Sequence, residues 1–274
     1  MSVVSVFCKK GGVGKTTFIA YLAHYYASQG NKVLCISMDD QNSIFPVFGK
    51  EDLVYDYPES YLEFKLTGQA SLEDVLFEAR ENLYLIKTLN TDMLSRNITT
   101  SRAQEKRIVE LIREYKEYFD YIFIDFPPSS SRITEVLLDE SDYVFVVVGL
   151  DPLGFSGFKN TIQYFVDNDI SVEKIKYIQP NSFSNHKRAP KVSLEKLTTE
   201  AQSLTPDAVI LPPLSDLSII KNLQEKGYSV YDTIEWKNNP DFSRYDKTQF
   251  ETFKDQINEI FSKIDMVPDP NAQK

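Results

Sequence analysis

Short apolar runs alternate along the chain with longer stretches in which apolar residues recur every three or four positions. Runs rich in β-branched and aromatic residues predict strands at 3–8, 32–37, 83–87, 121–125, 143–148, 174–179 and 208–211. Helical spacing predicts helices at 15–29, 102–118, 133–139, 155–166, 194–203 and 217–226, with Gly30 and Gly227 where C-terminal caps belong. Several strands are apolar at nearly every position, as strands covered on both faces must be. The pattern predicts an α/β fold, a doubly wound, mostly parallel sheet with helices on both faces. No repeat or low-complexity linker divides the chain, so residues 1–266 read as a single domain and residues 267–274 as a flexible tail.

Near the C-terminus, Phe250, Phe253, Ile257, Ile260, Phe261 and Ile264 share one helical face. Such a face suits either a membrane surface or the protein's own core. The polar side carries Glu251, Lys254, Asp255, Glu259 and Lys263, whereas helices that lie on membranes usually present a basic face. Packing on the domain is the expectation.

Composition narrows the classes. The 274 residues are 42% hydrophobic and 26% charged, which excludes collagen-like, coiled-coil and wholly disordered chains. The formal net charge of −10 means that any contact with DNA must come from a local basic patch. Cys8 and Cys35 both lie in apolar surroundings and read as buried thiols of a reducing compartment. With two cysteines, and with His24 and His186 lacking ligand company, no metal cluster of thiols and imidazoles is expected. The longest apolar run, 143–150, is far too short to span a bilayer, so no transmembrane segment and a cytoplasmic location are expected.

The chemistry concentrates after the first strand. Lys10-Gly11-Gly12-Val13-Gly14-Lys15-Thr16-Thr17 joins an apolar strand to an amphipathic helix. Glycines let backbone N–H groups close around phosphates, and the helix N-terminus adds partial positive charge. Lys15 can reach outer phosphates, and Thr16 offers a hydroxyl to Mg²⁺. The general pattern G-x-x-x-x-G-K-[ST] is only partly met, because its first glycine position holds Cys8 or Lys9. Asp39 ends the second strand beside this loop, where open α/β sheets place ligands. Tyr121-Ile122-Phe123-Ile124-Asp125 is an apolar strand ending in an acid, 110 residues after Lys15, with a Pro-Pro pair following at 127–128.

The segment from Lys10 to Thr16 resembles the deviant Walker A motif, K-G-G-x-G-K-[ST], of the ParA/MinD family of P-loop ATPases. Residues 33–41 resemble the family's D-x-D-x-Q strand end, with Ser37 at the first aspartate and Asp39 at the second. Residues 121–128 resemble its Walker B and switch II, hhhhD-x-P-P. The resemblance extends over residues 3–231. It implies ATP and Mg²⁺ as ligands, with Gly11, Gly12, Val13, Gly14, Lys15, Thr16 and Thr17 around the phosphates and Asp125 with Thr16 at the metal. It further implies that Lys10 reaches the partner's phosphates across an ATP-sandwiched homodimer and that Asp39 helps organise the attacking water. Asn181 stands where the family contacts adenine, and Pro212 where a proline packs beside the base.

Among family members, partition ATPases fit best, with a ParB-like DNA-binding adaptor as the implied partner. The two cysteines do not suit a nitrogenase-type iron protein, and the dispersed tyrosines do not suit a tyrosine kinase with a C-terminal tyrosine cluster. Two departures bear on mechanism. Ser37 replaces an aspartate, which keeps open a scaffold that barely hydrolyses ATP. Pro213 and Asp216 replace both arginines of the family's I-P-R-x-x-R-L-S segment. Nonspecific DNA contact would then fall to Lys187, Arg188 and Lys191, with nucleoid association following, and a MinD-like ATPase positioning another cargo or the division site stays as the alternative.

Overall fold

The computed structural model describes residues 1–57, 59–151, 153–184, 188–236 and 239–266. Strands β1 Ser2–Phe7, β2 Val33–Ser37, β3 Phe77–Arg80, β4 Leu83–Ile86, β5 Tyr121–Asp125, β6 Tyr143–Gly149, β7 Ile175–Asn181 and β8 Val209–Ile210 form one sheet. Their order is β3-β4-β2-β5-β1-β6-β7-β8, parallel throughout except for the β3–β4 pair. Successive side chains on a strand point to opposite faces. Val4 and Val6 therefore enter one core while Val3 and Phe7 enter the other, and both cores are built of buried apolar side chains.

The helices in chain order are α1 Lys15–Ser28, four short ones (α2 Ile44–Val47, α3 Asp52–Tyr55, α4 Leu62–Leu66, α5 Leu72–Val75), α6 Thr91–Thr100, α7 Arg102–Tyr115, α8 Arg132–Asp139, α9 Gly154–Asp167, α10 Arg188–Leu204, α11 Ser218–Glu225 and α12 Arg244–Phe261. Helices α1, α11 and α12 share the core of one face; α7, α8, α9 and α10 share that of the other. The doubly wound architecture expected from the apolar pattern is the one observed.

Helix α12 turns its apolar stripe inward. Phe253 meets the Tyr21 ring edge-on at 5.5 Å and Phe261 meets Phe18 at 5.7 Å, with Ile257 and Ile260 buried between them. A stripe spent on the core is not available to a lipid surface, and no helix among the described residues is long and apolar enough to cross a membrane. Trp236 packs against Phe250 and Phe242 at 4.9 and 5.2 Å, as a core residue.

Some elements depart from the expectation. Strand β3, with only Ala79 buried, lacks an apolar run and exists because a turn at Asn82 (φ 61°) lays it antiparallel on β4. Helix α6 is not among the expected helices; of its described side chains Thr91 and Leu94 are buried. Helix α10 starts at Arg188, six residues before the predicted start at 194, because Pro190 is tolerated within a first helical turn. The expected tail, 267–274, lies outside the described residues, as do His186 and Lys187.

Candidate functional site at the carboxyl edge of the sheet

Register decides which side chains meet. Val6 of β1 and Ser37 of β2 both lie level with Asp125 of β5, the strand between them. The loop after β1, the turn after β2 and the acid ending β5 therefore converge on one edge.

The loop folds as the glycines require. Gly14 caps α1 at φ 91°, a left-handed conformation in which a Cβ would also collide with the Asn181 amide. The amides of Lys15, Thr16 and Thr17 open the helix without intrahelical acceptors, which leaves them available as donors beside the loop. Lys15 is buried, and its ammonium donates to the Lys10 carbonyl at 3.2 Å. Burial pushes its pKa down, while Cys8, Asp125 and Asp39 nearby pull it back up. Such a desolvated ammonium is poised to exchange a carbonyl for a phosphate.

Asp125 is a buried acid under electrostatic strain. It is 1% exposed, and neither carboxylate oxygen finds a well-formed hydrogen bond among the described residues. Burial pushes its pKa up to about 7; the Thr16 hydroxyl and Lys15 pull down, and Asp39 pushes up again. A buried carboxylate without partners costs several kcal/mol unless a cation joins it. Asp125 beside Thr16 supplies oxygen donors of the kind Mg²⁺ takes, and the residues fit that ion.

Asp39 is half-buried, and its Oδ1 accepts from Gln41 N at 3.1 Å. Ser37, at the position where the family has an aspartate, is fully buried and donates to the Asp39 carbonyl at 3.0 Å. The serine therefore shapes the turn that presents Asp39 and brings no charge of its own.

Lys10 is held by Asp151, with its ammonium 2.8 Å from both carboxylate oxygens. Asp151 also accepts from the Leu153 and Gly154 amides at 2.7 and 2.9 Å. Burial alone would raise its pKa, but Lys10 and those amides outweigh it and hold it below the usual carboxylate value. A Cβ at Gly157 would stand 2.8 Å from Lys10 Cβ, so the glycine makes room for the lysine stem. Asp151 was not singled out from the sequence. An acid just past the apolar β6 was the available signal.

Asn181 ends β7 and donates to the Val13 carbonyl at 2.7 Å, which ties the β7 edge to the loop. Pro212 lies on the adjoining segment, its carbonyl accepting from Gln179 at 3.0 Å. Thr17 accepts from Gln224 of α11 at 2.7 Å. Arg188 and Lys191 are exposed in the first turn of α10, and Lys187 is outside the described residues. His24 is buried on Ser229 at 2.7 Å, and burial lowers its pKa to about 4, consistent with a packing role.

Loop amides, a buried lysine and a cation-seeking acid at the carboxyl edge of a parallel sheet define a P-loop nucleotide-binding protein. The AAA_31 family model, described as an AAA domain, matches residues 1–175, and the chain belongs to that family. It is similar to Soj, the sporulation initiation inhibitor protein of Bacillus subtilis, at 27% identity over 186 residues, 63% of this chain and 70% of the relative. A plasmid partition protein of Borrelia burgdorferi B31 bound to AMPPNP superposes with a TM-score of 0.72 at 22% identity, over 96% of this chain and 98% of that one. McdA of Cyanothece in its apo form superposes with a TM-score of 0.75 at 17% identity, over 96% and 98%. At those identities the two structures share the fold.

Proposed function

We propose that this protein is a partition-type ATPase switch. It binds ATP with Mg²⁺, dimerises around the nucleotide, and hydrolyses it slowly under the control of a DNA-binding adaptor to position DNA. The observation that carries this reading is the orphaned, buried Asp125 facing Thr16 and Lys15 behind the glycine-rich loop. The relatives support it: Treponema pallidum Soj, 28% identical over 159 residues, is named a chromosome-partitioning ATPase. A McdA variant was solved with ATP, and a cobyrinic acid a,c-diamide synthase of the same fold with ADP and magnesium.

In this reading the amides of residues 11–17 and the Lys15 ammonium hold the phosphates, and Asn181 and Pro212 flank the base. Thr16 and Asp125 hold Mg²⁺, which when bound would neutralise charge on the phosphates. Asp39, set by Ser37, orients the attacking water. A carboxylate in that role acts on the chemical step and little on ground-state binding. Asp39→Ala is expected to lower the hydrolysis rate roughly 100-fold or more while ATP affinity stays within a few fold. Phosphate release and calorimetric titration check this. Hydrolysis at the parent rate would remove Asp39 from the mechanism, and a wild type that neither hydrolyses nor dimerises with Mg–ATP would overturn the whole reading.

Lys10 reaches across the dimer, which requires its pair with Asp151 to open. Lys10→Ala should therefore bind nucleotide as a monomer yet fail to dimerise with ATP, as read by light scattering. A stable, hydrolysing dimer of that variant contradicts the role. The basic residues at the start of α10, Arg188 and Lys191 with Lys187 before them, form the DNA-contacting surface. Sequence-independent duplex binding is expected with ATP and is lost steeply as salt rises. No retardation of duplex DNA at low salt would transfer the positioning role to another cargo.

A further inference from the structure

Helical threonines in this protein mostly spend their hydroxyl proton on the carbonyl one turn back. Thr161 donates to Gly157 at 2.8 Å, Thr198 to Leu194 at 2.9 Å and Thr199 to Glu195 at 3.1 Å. Thr17, in the first turn of α1, does not: its Oγ1 accepts from the Gln224 amide nitrogen at 2.7 Å, across 207 residues of sequence. The carbonyl it would otherwise use, that of Val13, accepts from Asn181 instead. An amide nitrogen can only donate, so among the described residues Thr17 is left with its own proton unspent and directed away from Gln224.

Gln224 is itself well anchored. The segment before α11 is fastened to the end of β7 by Leu211 N to Ile178 O and Leu214 N to Pro180 O, each 2.9 Å. Ile219 and Leu223 of α11 are buried in the core shared with α1, and Asn222 donates to Asp246 of α12 at 2.8 Å. A side chain on so constrained a helix fixes its partner more firmly than one on a mobile loop would.

We propose that Gln224 is a positioning residue for the nucleotide site: by donating to Thr17 it orients that hydroxyl as a donor toward the phosphate chain. The proposal rests on the ATP-binding reading above and names a residue more than 200 positions from the loop it serves.

Titration of the full-length protein with a fluorescent ATP analogue and Mg²⁺ tests it. Gln224→Met keeps the side-chain volume and removes the donor; Thr17→Val removes the hydroxyl. Each is expected to weaken nucleotide binding roughly ten- to hundredfold, the value of one hydrogen bond to a charged group. The double variant should be no weaker than either single, and Thr17→Ser should bind as the wild type does. The change should fall on KM rather than kcat, and melting of the nucleotide-free proteins should be unaltered. Affinity within twofold of wild type, losses that multiply in the double variant, or losses that follow a drop in melting temperature would each overturn the role. A wild type that does not bind the analogue at all would instead remove the ATP-binding reading, before any variant is compared.

Discussion

Replacing Lys15 with alanine is expected to weaken ATP binding at least ~100-fold, since charge-assisted contacts with phosphate are about twice as strong as neutral ones. The lysine is already stripped of water, with its pKa lowered by burial, so phosphate gains its charge without having to desolvate it. A second loss compounds the first. Lys15 is one of the groups that pull the Asp125 pKa down. Without it the acid holds its proton more firmly and competes less well for Mg²⁺. Because the cost of burying the ammonium offsets its bond to the Lys10 carbonyl, the nucleotide-free variant should melt close to the parent. Isothermal titration alongside thermal melting separates the two effects. Parent-like affinity would mean that the loop does not bind phosphate.

Asp125→Asn is expected to act in opposite directions on stability and on ligand binding. In the folded chain burial lifts this pKa from the ordinary 3.8 to about 7. Between those values the native state holds a proton that the unfolded chain has released, so stability contributed at this site falls as pH rises from about 4 to about 7. At roughly 1.4 kcal/mol per pH unit, the penalty above neutrality is about 4 kcal/mol. Asparagine carries no charge to bury, so the nucleotide-free variant should exceed the parent in melting temperature most at pH 8, less at pH 5, the gap closing toward pH 4. With Mg–ATP the order should reverse at pH 8, because the parent gains the cation and the variant does not. Melting curves at the two pH values, with and without Mg–ATP, decide it. A variant that melts below the parent at pH 8 without nucleotide would show that Asp125 is satisfied in the native protein.

Much of the site was legible in the order of residues because its chemistry is local. The stretch from Lys10 to Thr17 carries glycines, a lysine and hydroxyls within one turn between a strand and a helix, so its role follows from adjacency. Asp39 and Asp125 were readable as acids closing apolar strands, a position that a parallel sheet turns toward one edge. Ser37 was readable as a missing charge but not as a support. Only its hydrogen bond to the Asp39 carbonyl shows what the serine does.

The sequence by itself determined the class of fold, the phosphate loop and the burial of α12, since each rests on a repeating pattern of apolar residues or on neighbours along the chain. The tertiary structure alone decided that Asp151 holds Lys10, that Asn181 braces the loop at Val13, and that Gln224 reaches Thr17. It also decided the edge strand β3, whose four residues acquire their conformation from pairing with β4. The physical reason is common to all of these. A hydrogen bond between residues 141, 168 or 207 positions apart depends on which strands lie side by side. The order β5-β1-β6-β7 is fixed by the packing of two cores, and no local stretch of residues encodes it.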